Sequence, residues 1–579
     1  MTFNVIKKLN DQGKYRAVVD HLARWEADGI LDTFTEQEQI ECVYYQSSAL
    51  QQMEQWDKAL QTVLAARQKY PSPADRSLLL ALLTPQIFPL CQMNRFDEAF
   101  DVITEGDTVL ASLTVEERET GACWIAYFEA EKGVYYCFKQ DYGTALEYGQ
   151  RALASREDLG DLDDIAHSLV GLEWFYRIKG EFDTAFSYCQ RILAIYKQMG
   201  NSHGIAYAFR KLGWNYLHKG EYDTALAYYQ QELSIYEETG DPTMINSALF
   251  DLANIYLIKG EYDTALEYNH RLAREIEDPK NKSGCFTLFA LIYYSKGELD
   301  TAQDYIQQAL AIQETVDCFY VSGLIHHAQG ELDTAFECLQ QVLNFWEPTG
   351  NDVGITWALF PLFQVVLAQK NLLKAREYLT RLQQLPTRAS HPWIYSTSRL
   401  AEALVLKESP RARDKFQAQT ILEQLVKEEE VQRADYTALA IIQLCDLLIA
   451  EVKLYGELSV WEEAKALIEK LERMAQDHHS FSLSVEALLL RAKAATVDGN
   501  LPQALNYYEK ARLAATSKNL TRLLVKVDKE QKRFEADFEK MQYLIQSNAS
   551  LQERVTNAQM ENYIKKVQVL LKMDMPRES

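Results

Sequence analysis

Two tryptophans 40 residues apart, Trp174 and Trp214, with Arg177 and Arg210 between them, are the side chains of this chain best suited to gripping a ligand. Tryptophan, tyrosine and arginine dominate interface hot spots, because rigid rings bury apolar anchors and guanidinium forks pair with carboxylates. That is binding chemistry rather than covalent chemistry. The sequence has no Gly-x-x-x-x-Gly-Lys-Ser/Thr, no Gly-x-Gly-x-x-Gly, no His-Glu-x-x-His and no Gly-x-Ser-x-Gly. Two histidine pairs, His326-His327 and His478-His479, have no cysteine or carboxylate at ligand spacing, and adjacent helical residues point about 100° apart. Neither a metal nor a cofactor is expected, and Cys189 and Cys338 read as small core residues.

The elements that must position these side chains follow from an internal repeat. A phrase recurs six times, from Asp141-Tyr-Gly-Thr-Ala145 through Gly180-Glu-Phe-Asp-Thr-Ala185 and Gly220-Glu-Tyr-Asp-Thr-Ala225 to the copies ending at Ala265, Ala302 and Ala335. The alanines stand 40, 40, 40, 37 and 33 residues apart. Each unit therefore buries its apolar face by stacking on its neighbours. Twelve residues before each alanine comes a small residue (Gly133, Gly213, Ala253, Ala290, Gly323) or Glu173, and three after that Tyr136, Tyr176, Tyr216, Tyr256, Tyr293 or His326. Small, aromatic, small is a helix-crossing pattern: two helices approach closely and the ring fills the wedge. Glu173 breaks it. Either Gly171 takes the small role after a local shift, which is the favoured reading, or the acid is partnered, since an unpaired buried carboxylate is costly. The glycine before Glu-Tyr-Asp should end the first helix, and Gly160-Asp161, Gly200-Asn201, Gly240-Asp241 and Gly350-Asn351 should each stop one helix and cap the next.

On these residues the chain resembles the tetratricopeptide repeat, in the longer variant of about 40 residues similar to that of kinesin light chains and bacterial regulatory arms. Weaker copies run from Tyr15 to Val18, Trp56 to Ala59, Phe96 to Ala99, Leu372 to Ala375, Trp461 to Ala464 and Leu501 to Ala504, with a degenerate unit near Phe416. The resemblance implies an all-α fold, an α-solenoid wound as a right-handed superhelix of helix-turn-helix repeats. The expected division is degenerate repeats over 1–120, a regular array over 121–385, degenerate repeats over 386–517 and an amphipathic helical tail over 518–579. Prolines at 71, 73, 85 and 89 should loosen the early part, and residues 386–413 are the expected hinge.

The resemblance also implies that the first helix of each unit lines a binding groove. Projected onto this sequence, the lining residues include His167, Trp174 and Arg177 in one unit, Tyr207, Arg210 and Trp214 in the next, and Asn254 in the third. The alternative is that these aromatics pack between helices. The family's carboxylate clamp is matched only in part, by Arg210 and Asn254, so its chaperone-tail function is not carried over.

A net charge of −23 argues against nucleic acid, whose binders carry clustered basic faces. The acidic pairs of the repeat phrase form either a guide for a basic partner or a solvated capping row. The start of the chain has no apolar leader pattern, no stretch approaches eighteen apolar residues, and the nine cysteines include no Cys-x-x-Cys. A cytoplasmic protein that neither enters nor crosses a membrane is expected. In the tail, Leu520, Leu524, Val527, Phe534, Phe538, Met541 and Ile545 make one heptad-like stripe, and Met560, Ile564, Val567 and Leu571 a second. They suit either a cap on the last repeat or self-association as a coiled coil. The expected function is a non-enzymatic adaptor holding a protein or peptide partner; the alternative is a regulatory sensor whose superhelix responds to a peptide or small effector.

Overall fold

The computed structural model describes residues 4–11, 14–53, 55–139, 141–179, 181–219, 221–276, 282–349, 351–385, 392–428, 434–477, 481–517 and 520–560. Among these the chain is all-α, with thirty α-helices, short 3₁₀ turns and no strand. The described chain falls into two lobes. The first comprises Met1–Asn215, Ser234–Thr239 and Pro348–Asn351, and the second Tyr216–Leu233, Gly240–Glu347 and Asp352–Ser579.

The six repeats are helix pairs, an A helix followed by a B helix: Ala122–Phe138 and Tyr142–Leu159, Leu162–Ile178 and Phe182–Met199, Ser202–His218 and Tyr222–Thr239, Pro242–Lys259 and Tyr262–Glu275, Ser283–Lys296 and Leu299–Ile312, Val316–Gln329 and Leu332–Trp346. All six phrase alanines are fully buried. A Cβ on Gly133 would come within 3.0 Å of the Ala145 carbonyl, a close backbone approach, and one on Gly323 within 2.7 Å of the Leu339 side chain, so a larger residue at either position would force its neighbour to move. Where five of the six weaker copies start, helices start too: Tyr15–Ala27, Trp56–Lys69, Phe96–Ser112, Leu372–Gln384 and Leu501–Ser517, whereas the copy at Trp461 begins inside helix Leu458–Asp477. Their counterparts of the phrase alanine, Val18, Ala59, Ala99, Ala375 and Ala504, are also fully buried.

The wedge holds two tyrosines rather than one. In five repeats the A-helix tyrosine stacks on a B-helix tyrosine twelve residues later: Tyr136 on Tyr148, Tyr176 on Tyr188, Tyr216 on Tyr228, Tyr256 on Tyr268 and Tyr293 on Tyr305. Ring centroids are 5.4–5.6 Å apart and the planes lie within 18° of parallel. Parallel aromatic pairs add about 0.5–1.5 kcal/mol beyond area burial, and here each one ties A to B within its repeat. In the sixth repeat His326 instead meets Glu331 at 2.7 Å.

Between repeats the ties are electrostatic. Lys259 pairs with Asp223 of the preceding repeat, and Lys296 pairs with Asp263 at 3.0 Å. Gln369 does the same for Asp333 by donating at 2.9 Å. Burial opposes the charge on Lys259, but its hydrogen bond to Asp223 and the nearby Glu261 hold the ammonium above its ordinary range. Much of the acidic row is thus matched from within the chain. The helix stops are as the sequence predicts: Gly160, Gly200 and Gly240 have positive φ, and Asp161, Asn201 and Asp241 accept from backbone N–H groups of the next helix. Gly180, Gly220 and Gly350 lie outside the described residues, as do His478, His479, residues 386–391 and the second tail stripe beyond Met560.

Two expectations are corrected. Pro85 and Pro89 do not loosen the chain but sit inside helix Leu78–Gln92. Pro89 has no N–H for the Pro85 carbonyl, and Gln51 Nε2 donates to that carbonyl at 2.9 Å instead. Most of this helix is buried, so packing sustains what the lost ladder bonds do not. At the other irregularity, Gly171 does not take the small role. Nothing lies within 4 Å of a Cβ placed there, and Glu173 itself is fully buried at the crossing.

Over the described part of the tail the stripe packs back on the preceding helices. Leu520, Val527, Phe534 and Met541 are buried, and helix Thr521–Ala536 packs on Leu501–Ser517 and Phe481–Asp498. No described helix is long and apolar enough to cross a membrane. Gly323→Val should cost about 1–3 kcal/mol through overpacking against Leu339. Denaturant unfolding reads that loss, and an unchanged midpoint would mean that the crossing is not closely packed.

Candidate functional site

The A helices of the second and third repeats carry the predicted patch, and its centre is the carboxylate that breaks the small-residue column. Glu173 is fully buried, with Arg177 Nε at 3.3 Å on its own helix and Lys211 Nζ at 3.8 Å on the next A helix. Asn215 Nδ2 donates to it at 3.4 Å and lies equally close to Cys189 Sγ. Burial, reinforced by the charge of Glu173, pushes the Cys189 thiol far up, so it stays a neutral core group.

Both cations also rest on aromatic faces. The Arg177 guanidinium lies 4.7 Å from the Trp214 ring centroid, and Lys211 Nζ lies 5.4 Å from Trp214 and 5.1 Å from Tyr207. Arg177, Tyr207, Lys211 and Trp214 are therefore one assembly beside Glu173, held by its ion pairs and by cation–ring contacts. Lys211 and Glu173 were absent from the predicted site. Glu173 was visible as the exception in its column, whereas Lys211 carried no signal of its own.

The other predicted residues divide. Trp174 is half-buried and packs on Phe138 and Phe175 at 5.7 and 5.5 Å, so it shares in the core of the first lobe. His167 is exposed, with Nδ1 at 3.0 Å from the Asp163 carbonyl. Arg210 is half-buried on the same helix as Trp214. Asn254 belongs to the second lobe, where its Nδ2 donates to the Phe250 carbonyl at 2.9 Å.

A second buried polar cluster in the first lobe was not foreseen. Arg156 is buried, donates to Ser168 Oγ at 2.8 Å and lies 4.2 Å over the Tyr127 ring. Tyr127 donates to Asp164 and packs on Tyr44. Glu131, one turn along from Tyr127, has an Oε2 that finds no hydrogen-bond partner among the described residues. Burial pushes its carboxyl up to about 8 against the pull of Arg156.

Comparison with known proteins agrees with this architecture. Residues 175–238 match the family described as Tetratricopeptide repeat, and residues 218–382 match the SusR N-terminal TPR domain. Residues 175–382 are tetratricopeptide repeats. None of the curated proteins matches the chain. Among solved structures, the chain is similar to a Rap protein complexed with competence and sporulation factor, at 16% identity over 60% of this chain and 97% of that one, TM-score 0.42. It is also similar to aspartyl phosphate phosphatase F from Bacillus subtilis, at 17% identity over 61% and 94%, TM-score 0.41. The apo form of RapI matches at 18% identity over 45% and 94%, TM-score 0.36. At these values the likenesses identify no functional residue of this chain.

The two buried carboxylates should respond oppositely to neutralisation. Glu173→Gln leaves Arg177 and Lys211 short of their acid and should cost about 3 kcal/mol. Glu131→Gln should stabilise. Because the folded protein keeps the Glu131 proton up to about pH 8 while the unfolded chain loses it in the ordinary carboxylate range, native stability falls as pH rises through that window and levels off above it. The advantage of Glu131→Gln should therefore grow from pH 5 to pH 8 by at most roughly 1.4 kcal/mol per unit, read by thermal unfolding. A constant offset across that range would mean that Glu131 does not titrate there.

Proposed function

We propose that this protein is a non-enzymatic interaction scaffold whose first lobe binds an extended or helical peptide on the A-helix patch of Arg177, Tyr207, Arg210, Lys211 and Trp214, with His167 at the rim and Trp174 as an inner support. The observation that carries this reading is the Trp214 ring shared by two cations that have one buried carboxylate between them. Such a face offers the partly exposed Trp214 and Tyr207 rings, with two largely buried cations held behind them in preset positions, in a chain of net charge −23. It suits a peptide with an apolar anchor beside a carboxylate, and preset side chains lose little freedom on binding. A folded acidic chain of this kind takes a protein or peptide partner in preference to nucleic acid.

A second reading, the regulatory sensor, is favoured by the position of Glu173. It links Arg177 of one repeat to Lys211 and Asn215 of the next, so a ligand carboxylate drawing on those cations would alter the tie between neighbouring A helices.

Selection of random 15-residue displayed peptides on the intact chain, followed by calorimetry, tests the binding reading. The selected peptides should pair an acidic residue with an aromatic or aliphatic one. Trp214→Ala should weaken their binding by about 2 kcal/mol or more, while thermal unfolding changes little. Loss of stability with affinity intact would return Trp214 to packing and overturn the proposed site.

A further inference from the structure

The tail is attached in two different ways. Helix Thr521–Ala536 is clamped by two ion pairs of 2.7 Å, Lys526 to Glu486 and Lys493 to Glu530, with every partner under 15% exposed, and Phe534 packs on Tyr508. Helix Leu551–Asn557 instead lies across Ala434–Tyr455 and Phe481–Asp498, the A helices of the last two repeats. Its polar footings are Gln552 Nε2 donating at 2.8 Å to the Leu454 carbonyl and Arg554 Nη1 donating at 2.7 Å to the Val497 carbonyl. Both acceptors sit in the last turn of an A helix, where carbonyls have no partner within the helix and the dipole favours a cation. Val555 and Met560 provide the apolar contact and are buried.

This segment has the features of a bound peptide. Seven residues are too few to hold a helix in water unaided, so its structure is conferred by the seat. It follows a turn in which Asn548 takes a left-handed conformation, φ 54°, separating it from Phe538–Gln546. Near the Gln552 footing, Leu454, Tyr455 and Leu458 stand 64–69% exposed, apolar surface that the resident segment leaves uncovered.

We propose that residues 550–560 are a built-in ligand, and that the A-helix face of the last two repeats binds in trans an amphipathic segment of the same chemistry. That partner carries an amide or cationic donor for each terminal carbonyl, then an aliphatic anchor in the Val555 seat and a second five residues on. Contact with Leu454, Tyr455 and Leu458 gives it area that the resident lacks. The resident is tethered and competes at high effective concentration, so the seat is closed until such a partner arrives. This inference concerns the second lobe and does not rest on the Trp214 patch.

A synthetic, fluorescein-labelled peptide of residues 548–560 tests it by anisotropy against the full chain and against the full chain carrying Val555→Asp and Met560→Asp. The released variant should bind the peptide at least tenfold more tightly than the unmodified chain, and a peptide with Asp at the 555 position should bind neither. Should circular dichroism show that the double variant is unfolded, Gln552→Ala with Arg554→Ala, which removes only the two footings, serves in its place with the same expected direction. Failure of the peptide to bind a folded variant, or equal affinity for variant and unmodified chain, would show that the segment is an integral part of the fold and overturn the proposal.

Discussion

Everything in this protein depends on how closely two helices can cross. The phrase alanine of each B helix, buried without remainder, sets that distance, with a small residue facing it from most A helices. Once the backbones are that near, each wedge between them takes a flat aromatic pair, and five repeats supply one as stacked tyrosines. Because the crossing recurs, so does every side chain at a fixed offset from it. That is how Trp174 and Trp214, or Asp223 and Asp263, come to equivalent places from a linear sequence. The repeat therefore supplies a ruler along which lysine ties and binding side chains are set out.

The ruler is most informative where it is broken. Placing Glu173 in a small-residue position puts an acidic side chain in the tightest part of the fold, where Arg177, Lys211 and Asn215 converge on it. The same convergence holds two cations against the Trp214 and Tyr207 rings, so the groups that meet the buried acid also build the candidate binding face. Glu131 is the contrasting case, a buried carboxyl that lowers its cost by keeping its proton. One repeat-long stretch thus contains both physical answers to a buried acid, pairing and neutralisation.

The repeat, its helix ends and its two small columns were legible because they are statements about backbone geometry, and glycine and alanine report backbone geometry directly. The second tyrosine column was equally legible, three residues after each phrase alanine from Tyr148 to Tyr305, but an aromatic on a B helix reads as ordinary core until its partner ring is placed beside it. Pro85 and Pro89 misled because local rules weigh proline as a breaker, and the Gln51 side chain that restores the missing donor lies 34 residues away. At the site, Trp214 and Arg177 could be read from spacing, while Lys211 and Glu131 could not. Their roles come from which helices pack together, which no single-repeat pattern contains.

The central claim is that stability passes from each repeat to its immediate neighbours through these crossings. Native-state hydrogen exchange on the full chain with Ala265→Phe, a bulky ring forced into one crossing, tests it most directly. The account predicts that amide protection falls in residues 242–312 and that helices such as Leu78–Gln92 and Phe481–Asp498 keep theirs. Protection lost evenly along the whole chain, or lost at those distant helices as early as at the substituted crossing, would contradict it.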